Sequence, residues 1–81
     1  SNPVGRAKQQ EKMKDNLYYK AALSHFQSKA DEAKAVLDTY LNDSVGIGEH
    51  SKLLDEITHW TKVLAEAEEC MATLEKYSKT I

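Results

Sequence analysis

Apolar residues in the second half of the chain recur in alternating steps of four and three. They are Leu53, Ile57, Trp60, Leu64, Ala67, Met71 and Leu74, with Ser78 in the next place and Ile81 after it. That spacing puts every member on one face of a helix. No Gly or Pro follows Gly48, so the pattern predicts an unbroken helix over about residues 49–79. The first half carries a matching stripe: Tyr19, Leu23, Phe26, Ala30, Ala33, Leu37 and Tyr40. Asn16 and Lys12 continue its steps toward the N-terminus, and Pro3 is acceptable in a first helical turn. The pattern therefore predicts a first helix over about residues 6–42, after a flexible start at residues 1–5.

Between the stripes lies "NDSVGIG", residues 42–48. A glycine here can adopt the left-handed conformation that ends a helix, which a β-branched residue resists. Folding the chain at this point brings the stripes into register. The pairs Tyr40 with Leu53, Leu37 with Ile57, Ala33 with Trp60, Ala30 with Leu64, Phe26 with Ala67, Leu23 with Met71 and Tyr19 with Leu74 all straddle Gly46 and Ile47. The largest side chains, Trp60 and Phe26, each face an alanine, as close packing between helices requires. The predicted fold is all-α: a single domain over residues 1–81, built as an antiparallel, coiled-coil-like hairpin. Ile47 and Val45 would cap the end of the seam, and Glu49 would favour the positive end of the second helix. Asn16 and Ser78 form the next, polar layer, either a buried polar pair that fixes register or, as favoured here, a frayed end near both termini.

A two-helix hairpin has one seam and leaves much apolar surface in water. Ala22 and Val36 flank the first stripe, and Val63, Cys70 and Tyr77 flank the second on the same side. The other flank reads as mostly charged, with Lys20 facing Glu75 as a surface pair of small energetic value. The flank of Ala22, Val36, Val63, Cys70 and Tyr77 is the predicted face of a homodimer, giving a four-helix bundle. Met13, Leu17, Tyr18 and Ala21 form a further apolar strip near the start of the first helix.

Charge changes this picture only locally. The formal net charge is −2, which supplies no global attraction to nucleic acid or to an anionic membrane. Residues 1–42 hold seven Lys/Arg and five Asp/Glu, a net of +2; residues 43–81 hold four Lys and eight Asp/Glu, a net of −4. The bland reading is two solvated helix faces. The sharper one is a basic N-terminal end, Arg6, Lys8, Lys12, Lys14 and Lys20, that meets a phosphate or an acidic partner. A single cysteine, Cys70, makes no internal disulfide and reads as a small hydrophobe in a reducing setting. No run of about 18 apolar residues is present, and the first residues lack the apolar core of a secretory leader, so no membrane contact is expected.

Candidate chemistry is sparse. His25, His50 and His59 have no pair at metal-ligand spacing with each other or with Cys70, so no metal site or cofactor is expected. The acidic run Glu66, Glu68, Glu69 reads as a solvated face. "SVGIGEHS" lacks the Lys-Ser/Thr of a phosphate-binding P-loop and has no preceding strand. Acid–base catalysis needs a cleft, and a seam filled by side chains is expected to have none. No nucleophile stands with a base, so no enzyme is expected.

The stretch "YLNDSVGIGEHSKLLDEI", followed by "AEAEECMATLEKY", resembles small helical proteins encoded by T4-like and marine tailed bacteriophages. In those, a short turn reading like Val-Gly-Ile-Gly-Glu-His precedes an acidic helix that ends near an aromatic residue. The resemblance covers residues 40–77 and carries no activity and no catalytic residue. It implies a setting: a phage accessory protein in the cytoplasm of the bacterial host.

The leading functional expectation is a non-enzymatic interaction protein that binds and modulates a host or phage protein. Its partner patch would combine Val45, Ile47 and His50 of the turn with Tyr18. The alternative is a nucleic-acid-binding protein using the basic N-terminal helix, with Tyr18 and Tyr19 as stacking platforms. Against it, the seam claims Tyr19, and Glu11 and Asp15 interrupt the basic series. A third expectation is a structural segment of a virion or other large assembly.

Overall fold

The computed structural model describes residues 16–42 and 50–79, with His50 and Ser51 described as backbone only. Among the described residues there are two helices, α1 (Leu17–Asn42) and α2 (His50–Lys79). At 1.5 Å per residue they are about 39 Å and 45 Å long. They pack against one another as an antiparallel hairpin: Tyr19 near the start of α1 shares a groove with Leu74 near the end of α2, and Phe26 shares one with Ala67 and Trp60.

The beginning of α1 differs from the sequence pattern. Asn16 caps the helix instead of continuing it. Its side-chain oxygen accepts the backbone N–H of Tyr18 at 2.9 Å and of Tyr19 at 3.1 Å. Its carbonyl accepts from Lys20 at 3.0 Å, the first bond of the helix. This is the N-cap arrangement, in which a short polar side chain satisfies donors the helix leaves open. The described helix thus starts at Leu17; residues 6–15 of the predicted helix lie outside the described residues. The end of α2 agrees with the pattern, and Lys76 and Lys79 in its last turn complement the helix dipole. Because α2 begins at His50, its first turn holds no acidic residue. Glu49 and the predicted turn residues 43–48 lie outside the described residues.

The seam is the one the spacing predicts. Ala30 and Ala33 are fully buried, and Ala67 is nearly so. Tyr19, Leu23, Phe26, Leu37 and Tyr40 on α1 are half-buried, as are Leu53, Ile57, Trp60, Leu64, Met71 and Leu74 on α2. Among the described residues, no large side chain is completely buried. Alanines disappear because the two backbones approach closely over them. Each larger residue has only one helix to cover it, so part of its surface stays in water.

The layer of Asn16 and Ser78 is neither frayed nor paired. Ser78 is buried, and its hydroxyl donates to the Glu75 carbonyl at 2.8 Å, while Asn16 is spent on the cap. The expected Lys20–Glu75 pair is also absent. Among the described residues the ion pair is Lys29 with Glu32 at 3.8 Å, within α1. A contact one helical turn away on the same helix costs less ordering than a bridge between two exposed side chains on different helices.

Candidate protein interface

The predicted flank is where the hairpin is open. Ala22, Val36, Val63 and Cys70 are half-exposed beside the seam, so Cys70 is less covered than a core hydrophobe. Tyr77 is exposed, and Tyr18 stands almost wholly in solvent. Apart from the seam itself, these four half-exposed residues are the only described side chains with intermediate burial.

Two grooves open on this flank, which corrects the expectation of a seam filled to its edge. The first, of about 330 Å³, lies at the open end between Asn16, Tyr18, Tyr19 and Ala22 on α1 and Leu74, Tyr77 and Ser78 on α2. The second, of about 370 Å³, lies mid-hairpin between His25, Phe26 and Lys29 on α1 and His59, Trp60, Val63, Glu66 and Ala67 on α2. The second groove follows from the size pattern of the seam. Phe26 and Trp60 wall it at either end, and the small side chains between them leave its floor low.

Each wall is braced from its own helix. The His25 ring meets Phe26 edge-on at 5.2 Å and 71°. The His59 ring meets Trp60 in the same way at 5.1 Å and 79°, a favoured aromatic geometry. The Trp60 indole N–H donates to the Glu56 carboxylate at 3.2 Å. The tryptophan can therefore keep its polar edge bonded while its ring faces the groove.

The chain matches no family model, no curated protein and no solved structure. The site must be read from its own chemistry. Ser78 is the hydroxyl-bearing aliphatic side chain lining the first groove; its proton goes to a backbone carbonyl, and no histidine or carboxylate lines that groove with it. The second groove has two histidines and a glutamate at its rim but no hydroxyl or thiol nucleophile. Among the described residues no cluster of three His, Cys, Asp or Glu side chains is placed to hold a metal ion, and no buried side-chain polar atom lacks a hydrogen-bond partner. Among the described residues no helix is long and apolar enough to cross a membrane.

The remaining site residues fall as follows. Tyr18 lies at the opposite end of α1 from the turn, about 36 Å from Asn42 along the helix axis. Val45, Ile47 and the His50 side chain lie outside the described residues. So do Arg6, Lys8, Lys12 and Lys14 of the basic set. Lys20 is exposed and borders a shallow depression with Leu23, Ser24 and Gln27 on the other flank, away from the Tyr18 groove.

The sequence reading missed Leu41 and Leu54, each 65% exposed. They follow Tyr40 and Leu53 by one residue and straddle the same midpoint as the seam pairs. That places them side by side on the other flank at its turn end. Stepping one residue outward from the last seam pair would have found them.

Proposed function

We propose that the protein is a non-enzymatic helical interaction module. Two copies associate through the flank of Ala22, Val36, Val63, Cys70 and Tyr77 into a coiled-coil-like four-helix bundle. The bundle then binds and modulates another protein, and Leu41 and Leu54 near the turn offer it a separate apolar contact. The phage setting implied by the resemblance belongs to this reading: an accessory protein acting on host or phage machinery in the bacterial cytoplasm.

The observation that carries self-association is the burial pattern. Among the described residues, the apolar side chains removed from water are three alanines, while aromatic and branched seam residues remain half-exposed beside two open grooves on one flank. Covering that flank would bury the exposed halves of Phe26, Trp60 and Val63 together. Each Å² of apolar surface removed from water contributes about 25 cal/mol. Sedimentation equilibrium at micromolar concentration tests the reading. The expected species has twice the 9.1 kDa chain mass, and helicity falls on dilution as the dimer separates. A fully helical monomer at that concentration would overturn it.

A further inference from the structure

The flank has an order of polar groups that selects one way of pairing two copies. Along its α1 edge, one residue every seven, run Tyr18, His25, Glu32 and Thr39. Along its α2 edge, read in the same direction, run Thr73, Glu66, His59 and Lys52. The seam register puts His25 level with Glu66, and Glu32 level with His59, to within about 4 Å along the axis. His25, Glu66 and His59 rim the same groove, and Glu32 is tied to Lys29 of that groove. Within one hairpin the members of each level pair stand on opposite edges of the flank, and they form no ion pair.

We infer that two copies of this chain pack with their turns at the same end, about a two-fold axis running along the hairpin. The inference rests on the self-association proposed above. This axis lays α2 of one copy over α1 of the other without changing axial level. His25 then meets the partner's Glu66, and Glu32 meets the partner's His59, each contact occurring twice. A histidine N–H facing a carboxylate across an interface makes a polar contact that fixes orientation and register. Inside these rows, Ala22 faces the partner's Cys70, and the aliphatic stem of Lys29 lies along the partner's Val63. The two charged groups of the inner row already have ties on their own helices, Lys29 to Glu32 and Glu56 to Trp60.

The other two-fold, across the hairpin, would put the turns at opposite ends and lay α1 over α1. Lys29 lies near the middle of the stretch from Tyr18 to Thr39. That arrangement sets Lys29 against the partner's Lys29 at the axis, a repulsive contact.

Distances between nitroxide labels decide between the two arrangements. Lys62 and Lys76 are exposed, two heptads apart, on the solvent side of α2. Each is changed to Cys in a Cys70→Ala chain and labelled. With the turns together, the two sites give interchain distances that agree within a few Å. With the turns apart, the Lys76 separation exceeds that at Lys62 by about 15 Å or more, because Lys76 lies much further along the axis from the two-fold and its axial offset counts twice. Unequal distances in a protein that sediments as a dimer overturn the arrangement alone. A monomer at micromolar concentration overturns self-association and the arrangement with it. A charge exchange supplies the second test. His25→Glu sets a like charge opposite the partner's Glu66 and raises the dimer dissociation constant several-fold, and adding Glu66→Lys restores it. An unchanged constant in His25→Glu, with wild-type helicity, counts against the contact.

Discussion

The two flanks of the hairpin share one seam and differ in almost everything laid over it. On one side most positions next to the seam are small or apolar, Ala22, Val36, Val63 and Cys70, with Lys29 and Glu56 among them, and two grooves reach down to Phe26, Trp60 and Leu74. On the other side stand Lys20, Gln27, Lys34, Thr61, Glu68 and Glu75, all exposed. Their long stems can lie over the seam while their heads stay hydrated. The seam spacing is the same beneath both, so it does not determine which side is open. The residues one step out from the stripe do.

The comparison breaks most sharply at Val63 and Thr61, which lie on opposite sides of the same stretch of α2. Val63→Asp puts a charge into the proposed interface, where desolvating it is costly. It should raise the dimer dissociation constant by roughly a hundredfold, or about 2.8 kcal/mol. Thr61→Asp should leave association unchanged. Sedimentation of the two variants at matched concentration reads the contrast, and equal behaviour would remove the distinction between the flanks.

Beneath both flanks, Ala33→Leu adds bulk to a side chain that is already fully buried opposite Trp60 in the register. Overpacking should cost about 1–3 kcal/mol in thermal or urea unfolding. A neutral result would mean that the helices are set further apart at Ala33 than its burial implies.

At the open end, Asn16→Ala removes both cap hydrogen bonds and should cost about 1 kcal/mol. Asn16→Asp should recover most of it. Hydrogen exchange at the Tyr18 and Tyr19 amides localises the effect, and unchanged protection there would deny the cap.

The smallest effect belongs to the exposed leucines of the polar flank. Leu41→Ser with Leu54→Ser should change stability by no more than about 0.5 kcal/mol and leave the dimer intact. A measurable loss of association would show that this flank, not the other, is covered.

The seam could be read directly from the chain because both helices keep the three-four step without a break. Two long helices with one short connection also leave few ways to fold. The flank could be read for the same reason, one position out. The start of α1 could not, because Asn16 falls on a heptad step. A periodicity argument counts its position, whereas the hydrogen-bonding capacity of its side chain decides its conformation. A heptad position gives the direction a residue faces around a helix and is silent on its distance along it; Tyr18 and Asn42, both on α1, stand at its opposite ends. Leu41 and Leu54 were hidden by a flank judged from its charged members.

Trp60 is the only tryptophan in the chain, and it stands half-exposed in the wall of the mid-hairpin groove. The molecule therefore carries its own optical gauge. An indole ring partly in water emits at longer wavelength than the same ring under a second layer of side chains. Its emission should shift to the blue as concentration rises if a second chain closes over the groove, and stay fixed if nothing does. A single fluorescence titration on the unmodified protein, with no label, thus reports whether the open flank is occupied.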